Sequence, residues 1–325
     1  MSAGGHVLAL CGGVGGAKLA FGLAEVLAPG DLTLVVNTGD DFEHLGLAIS
    51  PDIDTVTYTL AGLSDRERGW GLAGETWAFM GALRRLGGPD WFQLGDQDLA
   101  THVERTRALA AGESLSAVTA RLARRQGLHH PIVPMSDEPV RTWIDTVEGP
   151  LAFQEYFVRH RCVPVARGIR FEGADWARPA PAFTAALARS DLAAVVICPS
   201  NPYLSIDPIL AVPGVREALR KITAPRVVIS PIVGGQAIKG PTAKLMQELG
   251  VAPDVRAIAE HYEGLVDGLV LDPADAHLAQ AVEALGPATL VTPTVMSTDE
   301  DRITLAYDSL AFAVALRQFA AAATS

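Results

Sequence analysis

Cysteine, basic residues and long apolar runs are all scarce in this sequence, and each shortage excludes a class of protein. Cys11, Cys162 and Cys198 lie far apart, without the spacing of a zinc site or a disulfide framework, which favours a reducing compartment. The 26 basic residues face 37 acidic ones, and a net charge of −11 argues against nucleic acid or an anionic membrane as partner. No apolar run reaches the roughly 20 residues of a membrane span, and the first residues do not resemble a signal peptide. We therefore expect a cytoplasmic protein.

The chain does contain a regular alternation of short apolar runs and amphipathic segments. Strands are predicted at residues 6–11, 32–36, 193–198, 226–230, 265–271 and 289–292, and helices lie between them, the first at 18–27 and the last at 302–322. Short strands that are apolar throughout are typical of parallel sheets covered on both faces. The pattern predicts an α/β fold, a Rossmann-like parallel sheet with helices on both faces.

The middle of the chain departs from that alternation. Residues 72–126 are rich in strong helix formers, and residues 132–171 look like short strands with polar punctuation. No repeat or low-complexity linker marks a boundary. We therefore predict a single α/β domain, residues 1–325, with a mid-chain α+β insertion or subdomain at about 72–171 that packs over one edge of the sheet.

A glycine-rich segment, CGGVGGAKLA at residues 11–20, follows the first strand and opens a helix. Backbone amides and the helix dipole can hold phosphate at such a place. Ala17 stands where a Walker A loop has its second glycine, and Lys18 stands where a dinucleotide fingerprint has its third. A tight turn is the alternative, but four glycines in five residues exceed its needs, which favours phosphate binding by Gly12, Gly13, Gly15 and Gly16.

Four aspartates cluster in NTGDDFEHLGLAISPDIDT, residues 37–55, at the end of the second strand. Clustered carboxylates repel one another unless a cation sits among them, and oxygen ligands suit Mg²⁺. At least one of Asp40, Asp41, Asp52 and Asp54 is therefore expected to bind the metal. The alternative is ordinary capping, with Asp54 starting a helix near Thr55 and Asp40 forming a turn.

Three later segments offer further polar groups. LGDQDLATH, residues 94–102, is either a metal- or acceptor-binding loop or a helix start capped by Asp98. In CPSNPYLSIDPIL, residues 198–210, Ser200 and Asn201 can bind a nucleotide or simply form a turn. In SPIVGGQAIKGPTAKLM, residues 230–246, Lys239 and Lys244 can neutralise the negative charge of a bound substrate or can simply be solvated.

These motifs together resemble the 2-phospho-L-lactate transferase family of coenzyme F-420 biosynthesis. The resemblance rests on GGVGGAKL, NTGDD, PDIDTVTY, RGWG, LGDQDLATH, PMSDEPV, PSNPYLSI and SPIVGG, which occur in that order up to about residue 275. Each motif is weak alone, but the set is specific. The resemblance implies a Rossmann-like fold, a homodimer and an active site over the carboxyl ends of the strands.

The resemblance also implies a reaction and its residues. The acceptor is the deazaflavin Fo, and the donor is a guanosine diphosphate conjugate of 2-phospholactate or phosphoenolpyruvate, from which GMP leaves. Asp54 and Asp41 are the expected catalytic carboxylates, Asp54 and Gln93 contact Fo, and Mg²⁺ is bound by Asp54 with Asp40 or Asp41. The residues implied to cradle the donor nucleotide are Gly12, Gly13, Gly15, Gly16, Ser200 and Asn201.

Two other functions are compatible with the glycine loop. An NAD-dependent oxidoreductase is disfavoured by the missing third glycine and by the lack of a suitably placed acidic residue after the second strand. A nucleotide- or metabolite-binding regulator on the same fold would have no reason to keep both the acidic cluster and LGDQD. No residue chooses among phospholactate, phosphoenolpyruvate and phosphoglycerate as the transferred acid.

Overall fold

The short apolar runs form one seven-stranded parallel sheet in the order β14-β13-β10-β9-β1-β2-β5. The structure, a computed structural model, describes residues 4–238 and 240–323. The strands are β1 (His6–Cys11), β2 (Leu32–Val36), β3 (Phe42–His44), β4 (Leu47–Ile49), β5 (Ile132–Pro134), β6 (Arg141–Thr146), β7 (Gly149–Ala152), β8 (Ala166–Glu172), β9 (Leu192–Ile197), β10 (Arg226–Ile229), β11 (Ile232–Val233), β12 (Gln236–Ala237), β13 (Gly268–Leu271) and β14 (Ala288–Val291).

The order of these strands creates a crevice at the centre of the sheet. From β1 the chain moves to β2 and β5 on one side, and then to β9, β10, β13 and β14 on the other. β1 pairs in parallel with both β2 and β9. The loops after β1 and β9 consequently lead to opposite sides, and ligands of open α/β sheets bind at such a reversal. A Rossmann-like parallel sheet was expected, and it is confirmed.

Helices cover both faces of the sheet. They are α1 (Gly13–Val26), α2 (Pro51–Leu60), α3 (Ala78–Arg85), α4 (Asp98–Ala110), α5 (Leu115–Arg125), α6 (Pro181–Leu187), α7 (Asp207–Ala211), α8 (Val215–Lys221), α9 (Thr242–Glu248), α10 (Val255–His261), α11 (Ala279–Glu283) and α12 (Asp299–Ala323). Single turns of π-helix occur at Glu155–Arg159 and Pro202–Ile206. Within the described ranges, no helix combines the length and apolar character that crossing a membrane requires.

The two faces of the central strand enter two separate parts of the core. Val7 and Ala9 pack in the cluster that contains α1, α2 and α12. Leu8 and Leu10 pack in the cluster that contains α6, α7, α8 and α10. All four side chains are fully buried, because successive residues of a strand point to opposite faces and both faces are covered.

Residues 72–171 contain the predicted mixture of helices and strands. α3, α4 and α5 come first, and β6, β7 and β8 form a three-stranded antiparallel sheet in the order β7-β6-β8. Between them β5 pairs with β2 and so becomes an edge strand of the main sheet. The segment therefore contributes to the main sheet as well as packing beside it, and its treatment as a subdomain stays a prediction.

Two helices begin earlier than the sequence suggested. α1 begins at Gly13 and not near Lys18, so residues 13–16 are its first turn, while Gly12 is extended. α2 begins at Pro51, because the fixed φ of proline suits a first helical position. Asp54 consequently lies inside the first turn of α2 and does not cap it. Its carboxylate is left for other contacts.

Candidate active site

A cavity of about 580 Å³ lies over the carboxyl ends of the central strands. It collects residues that are far apart in the sequence, from the loops after β1, β2 and β9 and from α2 and α4. The predicted site residues that line it are Gly12, Gly13, Gly15, Asp40, Asp54, Gln93, Ser200 and Asn201. Gly16 and Asp41 are buried outside its lining.

Ser200 ties the loop after β9 to the glycine loop after β1. The Gly12 amide donates to Ser200 Oγ at 3.0 Å, and that hydroxyl donates to the Gly12 carbonyl at 2.8 Å. The serine hydroxyl thus satisfies both backbone groups of one glycine. Its observed contacts are those of a residue that positions the loop.

Close packing explains why glycines are needed here. An added Cβ would lie 2.4 Å from another atom at three positions, at Gly12 from Asp52 Oδ2, at Gly15 from the Pro199 carbonyl oxygen and at Gly16 from Ser200 Oγ. Gly13 is the one member of the four with positive φ, at 63°. Three of these glycines therefore permit close approach, and one permits a left-handed backbone.

The start of α1 presents backbone amides to the cavity. The first amides of a helix lack intrahelical acceptors. That of Gly13 donates to Asp52 Oδ1 at 2.7 Å. Val14 and Gly15 follow in the same turn and line the cavity. This positive end of the helix suits an anion such as phosphate.

Asn37 holds two of the clustered carboxylates together. Its Nδ2 lies 3.1 Å from Asp40 Oδ1 and 3.0 Å from Asp52 Oδ2, while its Oδ1 accepts from the Gly39 amide at 2.7 Å. Asp52 is thereby placed between Asn37 and the glycine loop. The sequence put Asp52 in the acidic cluster but did not reveal this bracing role, and Asn37 stood in the NTGDD motif without an assigned role.

The carboxylates after β2 are buried enough to hold protons near neutral pH. Burial raises the pKa of Asp41 to about 7 and that of Asp52 to about 6. Burial and the charge of Asp52 also raise the pKa of Asp40. Asp41 Oδ2 accepts from Ser50 at 2.8 Å, while its Oδ1 is buried without a hydrogen-bond partner among residues 4–238 and 240–323. A cation bound nearby would favour the charged form of all three carboxylates.

Asp54 faces a different set of groups. Both of its oxygens pair with the guanidinium of Arg105, and Nη1 lies 3.0 Å from Oδ2. Arg105 is only 1% exposed, so this is a buried bidentate ion pair. Removing one partner of such a pair leaves an uncompensated buried charge.

His102 and Asp98 extend this pair along α4. His102 Nε2 lies 3.2 Å from Asp98 Oδ2, and its Nδ1 lies 3.7 Å from Asp54 Oδ2. Tyr58 donates to Asp98 Oδ1 at 2.6 Å. In the described part of the chain, Asp54, Asp98 and His102 form the group whose potential metal-ligand atoms all lie within 4.8 Å of one another.

The sequence contained a signal for this arrangement on α4. Asp98, His102 and Arg105 are spaced by four and three residues, which places them on one face of a helix. LGDQDLATH was recognised as a candidate loop, but Arg105 lies beyond the motif and was missed. Asp98 is the first residue of α4, and it is not the N-cap, which is Gln97.

Comparison with known proteins identifies the family. The sequence model of the 2-phospho-L-lactate transferase CofD matches residues 7–302. The chain belongs to the CofD transferase family. It is 43% identical to a phosphoenolpyruvate transferase of Kitasatospora aureofaciens, over 96% of this chain and 99% of that one. It is 38% identical to a 2-phospho-L-lactate transferase of Methanosarcina mazei, over 89% of this chain and 94% of that one.

The fold is shared with a more distant solved structure. A UPF0052 family protein of Bacillus halodurans superposes with a TM-score of 0.63, covering 94% of this chain and 99% of that one. Its sequence identity is 17%, so this similarity concerns the fold alone. The resemblance drawn from the motifs is confirmed by the family match and not by this structure.

In this CofD transferase the remaining predicted groups have defined positions. Gln93 lines the cavity, and its Nε2 donates to the Asp90 carbonyl at 2.6 Å. Asn201 Oδ1 accepts from the amides of Tyr203 and Leu204 and so caps the π-turn Pro202–Ile206. Lys244 pairs with Glu248 beside Tyr156, which is a structural contact. Lys239 lies outside the described residues.

Proposed function

We propose that this protein transfers a phospholactyl or enolpyruvyl phosphate group from a guanosine diphosphate conjugate to the terminal hydroxyl of Fo, releasing GMP. The main support is that the start of α1, with its backbone amides, and the group of Asp54, Asp98 and His102 line the same cavity. A two-substrate transferase needs such a pair of unlike walls. The reaction would place the protein in coenzyme F-420 biosynthesis.

The donor half is formed by the start of α1 and the loops after β9 and β10. Val14 and Gly15 offer amides to the diphosphate, and Ser200 and Asn201 keep the adjoining backbone in place. Pro231 extends this wall after β10. Backbone amides bind phosphate without a cluster of lysines, which suits a protein with a net charge of −11.

We assign the acceptor to the aromatic part of the cavity wall, where Tyr58 bonds to Asp98 beside Asp54. The aromatic side chains on the cavity wall are Tyr58, Trp70, Phe92, Phe153 and Phe157. Phe153 and Phe157 are stacked, with ring centroids 5.4 Å apart. Apolar faces of this kind bind flat heteroaromatic rings, and Gln93 adds a polar group to the lining of the cavity.

The chemistry is a displacement at phosphorus. The Fo hydroxyl attacks the phosphorus next to the organic acid, a new P–O bond forms, and the bond to the GMP oxygen breaks. Asp54 accepts a hydrogen bond from the attacking hydroxyl and orients it, while Arg105 fixes the carboxylate. Orientation of this kind, with acceptance of the proton, contributes about 10²–10⁴ in rate.

The donor set of the cavity fits Mg²⁺. Asp40 and Asp54 line the wall, and the neighbouring buried carboxylates keep raised pKa values unless a cation is near. Mg²⁺ is bound in proteins through one or two carboxylates together with substrate phosphates, whose charge it neutralises. We assign Asp40 and Asp54 to hold it. Asp41 is outside the lining, so we place it behind Asp40 as a support.

The test supplies Fo with each of the three candidate donors and follows GMP and product mass. We expect one GMP for each Fo conjugate, loss of turnover in excess EDTA, and its return with MgCl₂. Absence of GMP with every donor would refute the transfer reaction. Unaffected turnover in EDTA would refute the metal alone.

Two companion measurements address the remaining proposals. Isothermal titration of Fo separates an enzyme from a regulator of the same fold, because a regulator without an acceptor site should not bind a deazaflavin. Sedimentation of the purified protein tests the homodimer.

A further inference from the structure

Arg68 stands on the cavity wall in a fixed orientation. It lies in the loop between α2 and α3, within the RGWG segment. Its guanidinium carbon is 5.1 Å from the ring centroid of Trp70 and 4.7 Å from that of Trp77. The two rings meet edge to face, with centroids 6.0 Å apart. Cation–π contacts with both rings hold the guanidinium and leave its edge as the hydrogen-bonding surface.

One end of that edge is bound and the other is not. Nη2 lies 3.2 Å from Asp65 Oδ2, and Asp65 Oδ1 accepts from the Arg68 amide at 2.8 Å. Nη1 is buried and has no hydrogen-bond partner among residues 4–238 and 240–323. A buried donor without an acceptor is unfavourable, and each such group requires an explanation. An acceptor supplied by a ligand provides one.

The charges around the cavity narrow the choice of ligand. Asp40, Asp52, Asp54 and Asp98 all line it, so an anionic group enters against repulsion unless a cation receives it. The proposed donor carries two kinds of anion, the diphosphate and the carboxylate of its three-carbon acid. The start of α1 suits the diphosphate. Among the described residues, Lys18 and Arg68 are the lysine and arginine that line the cavity, and Lys18 already donates to the Met296 carbonyl, which leaves Arg68 for the carboxylate.

We infer that Arg68 binds the carboxylate of the transferred acid. This inference rests on the proposed function. Nη1 would donate a charge-assisted hydrogen bond to the carboxylate, and Asp65, Trp70 and Trp77 hold the guanidinium in place before the donor arrives. Phospholactate, phosphoenolpyruvate and phosphoglycerate all carry a carboxylate, so Arg68 recognises the class of acid and does not choose among its members.

The test compares a donor with analogues that lack the carboxylate. Lactyl-diphosphoguanosine, the ethyl ester of GDP, and GDP are each titrated without Fo against wild type and Arg68→Gln. The loss of one charge-assisted contact should raise the dissociation constant of the lactyl donor by about 10- to 100-fold. The constants for the ethyl ester and GDP should change by less than about twofold, since neither has the group that Arg68 binds.

Two further variants control for a general loss of positive charge and for misfolding. Arg66→Gln removes a neighbouring arginine whose side chain is 57% exposed and pairs with Asp299, and it should bind all three ligands like wild type. Arg68→Lys keeps the charge but loses the fork, and it should lie between wild type and Arg68→Gln. If circular dichroism shows that Arg68→Gln does not fold, the binding of the three ligands to Arg68→Lys is compared with wild type instead.

The outcomes separate the inference from the proposed function. Unchanged lactyl-donor binding in Arg68→Gln, with wild type still releasing GMP, overturns the carboxylate assignment alone. Equal weakening of all three ligands assigns Arg68 to the diphosphate and also overturns it. If wild type neither binds the lactyl donor nor releases GMP, the proposed function has failed first.

Discussion

The two walls of the cavity use different kinds of atoms. The glycine wall, formed by residues 12–15 and Ser200, is assembled from backbone groups in close contact. The charged wall, formed by Asp54, Asp98 and His102, is assembled from paired side chains, and the buried Arg105 pairs with Asp54. The first wall has no room for a side chain at Gly12 or Gly15, and the second is destabilised by a buried charge without a partner. Substitutions should therefore have different consequences on the two walls.

The largest expected effect follows loss of charge at Asp54. Asp54→Asn should lower turnover at least about 100-fold if the carboxylate orients the acceptor. It should also cost about 3–5 kcal/mol of unfolding free energy, because Arg105 is left buried and unpaired. GMP release and urea denaturation measure the two quantities.

A second substitution separates the two effects of Asp54→Asn. Adding Arg105→Met removes the unpaired charge and should restore most of the lost stability without restoring turnover. Asp145→Asn is the control, because Asp145 forms an exposed pair with Arg170, and it should cost at most about 1 kcal/mol. Full activity in Asp54→Asn would show that the charged wall is purely structural.

The next effect belongs to the glycine wall. In Gly15→Ala the new Cβ would meet the Pro199 carbonyl at 2.4 Å, and a backbone atom cannot move aside cheaply. GDP should then bind about 10- to 100-fold more weakly, and Fo nearly as in wild type. Gly30→Ala, where no described residue other than its chain neighbours comes within 4 Å of the new Cβ, should change the binding of neither ligand. A selective loss of Fo binding would reverse the assignment of the walls.

Between the walls, the buried carboxylates should make apo-protein stability depend on pH. Asp41 has a pKa near 7 in the folded state because of burial, so the fold retains a proton that the unfolded chain releases near pH 4. Its stabilisation is complete below about pH 4 and is lost as the pH rises through about 7, at roughly 1.4 kcal/mol per pH unit.

Asp41→Asn tests that linkage, because an amide does not titrate. Urea denaturation in EDTA should show wild type losing about 2 kcal/mol more than the variant between pH 5 and pH 7. Parallel curves for the two proteins would mean that Asp41 is ionised in the fold.

The smallest expected effect is that of Ser200→Ala. It removes both hydrogen bonds to Gly12, at a cost of about 1–2 kcal/mol, and should raise the KM for the donor only a few fold. Ser116→Ala is a matched control, since its hydroxyl is buried without a partner in the described ranges and should be nearly neutral. A loss of turnover with an unchanged donor KM would place Ser200 in the chemistry itself.

The sheet could be predicted because its information is local. Six of its seven strands were predicted within a few residues, as short apolar runs buried on both faces. β5 was not assigned to the sheet, since three residues give too short a pattern and its place follows from pairing with β2. The start of α1 was placed too late, because glycines favour turns until tertiary contacts fix them.

Asp52 and Asp54 show most clearly that residues close in the sequence can contact different parts of the site. They lie two residues apart on α2, and two helical steps of about 100° point them in nearly opposite directions. Asp52 consequently reaches the Gly13 amide and Asp54 reaches Arg105. A linear motif that contains both cannot state which one serves which wall.

The sequence by itself determined the strand pattern, the positions of the glycines and carboxylates, and the family, because each is written in contiguous residues. The tertiary structure alone decided that Ser200 binds Gly12 across 188 residues and that Arg105 pairs with Asp54 across 51. It also placed Arg68 against two tryptophans, with Nη1 buried and without a hydrogen-bond partner among the described residues. Such pairings form only when the folded chain brings distant residues together, and burial then strengthens the interaction between their polar groups. Neither effect leaves a pattern in neighbouring residues of the sequence.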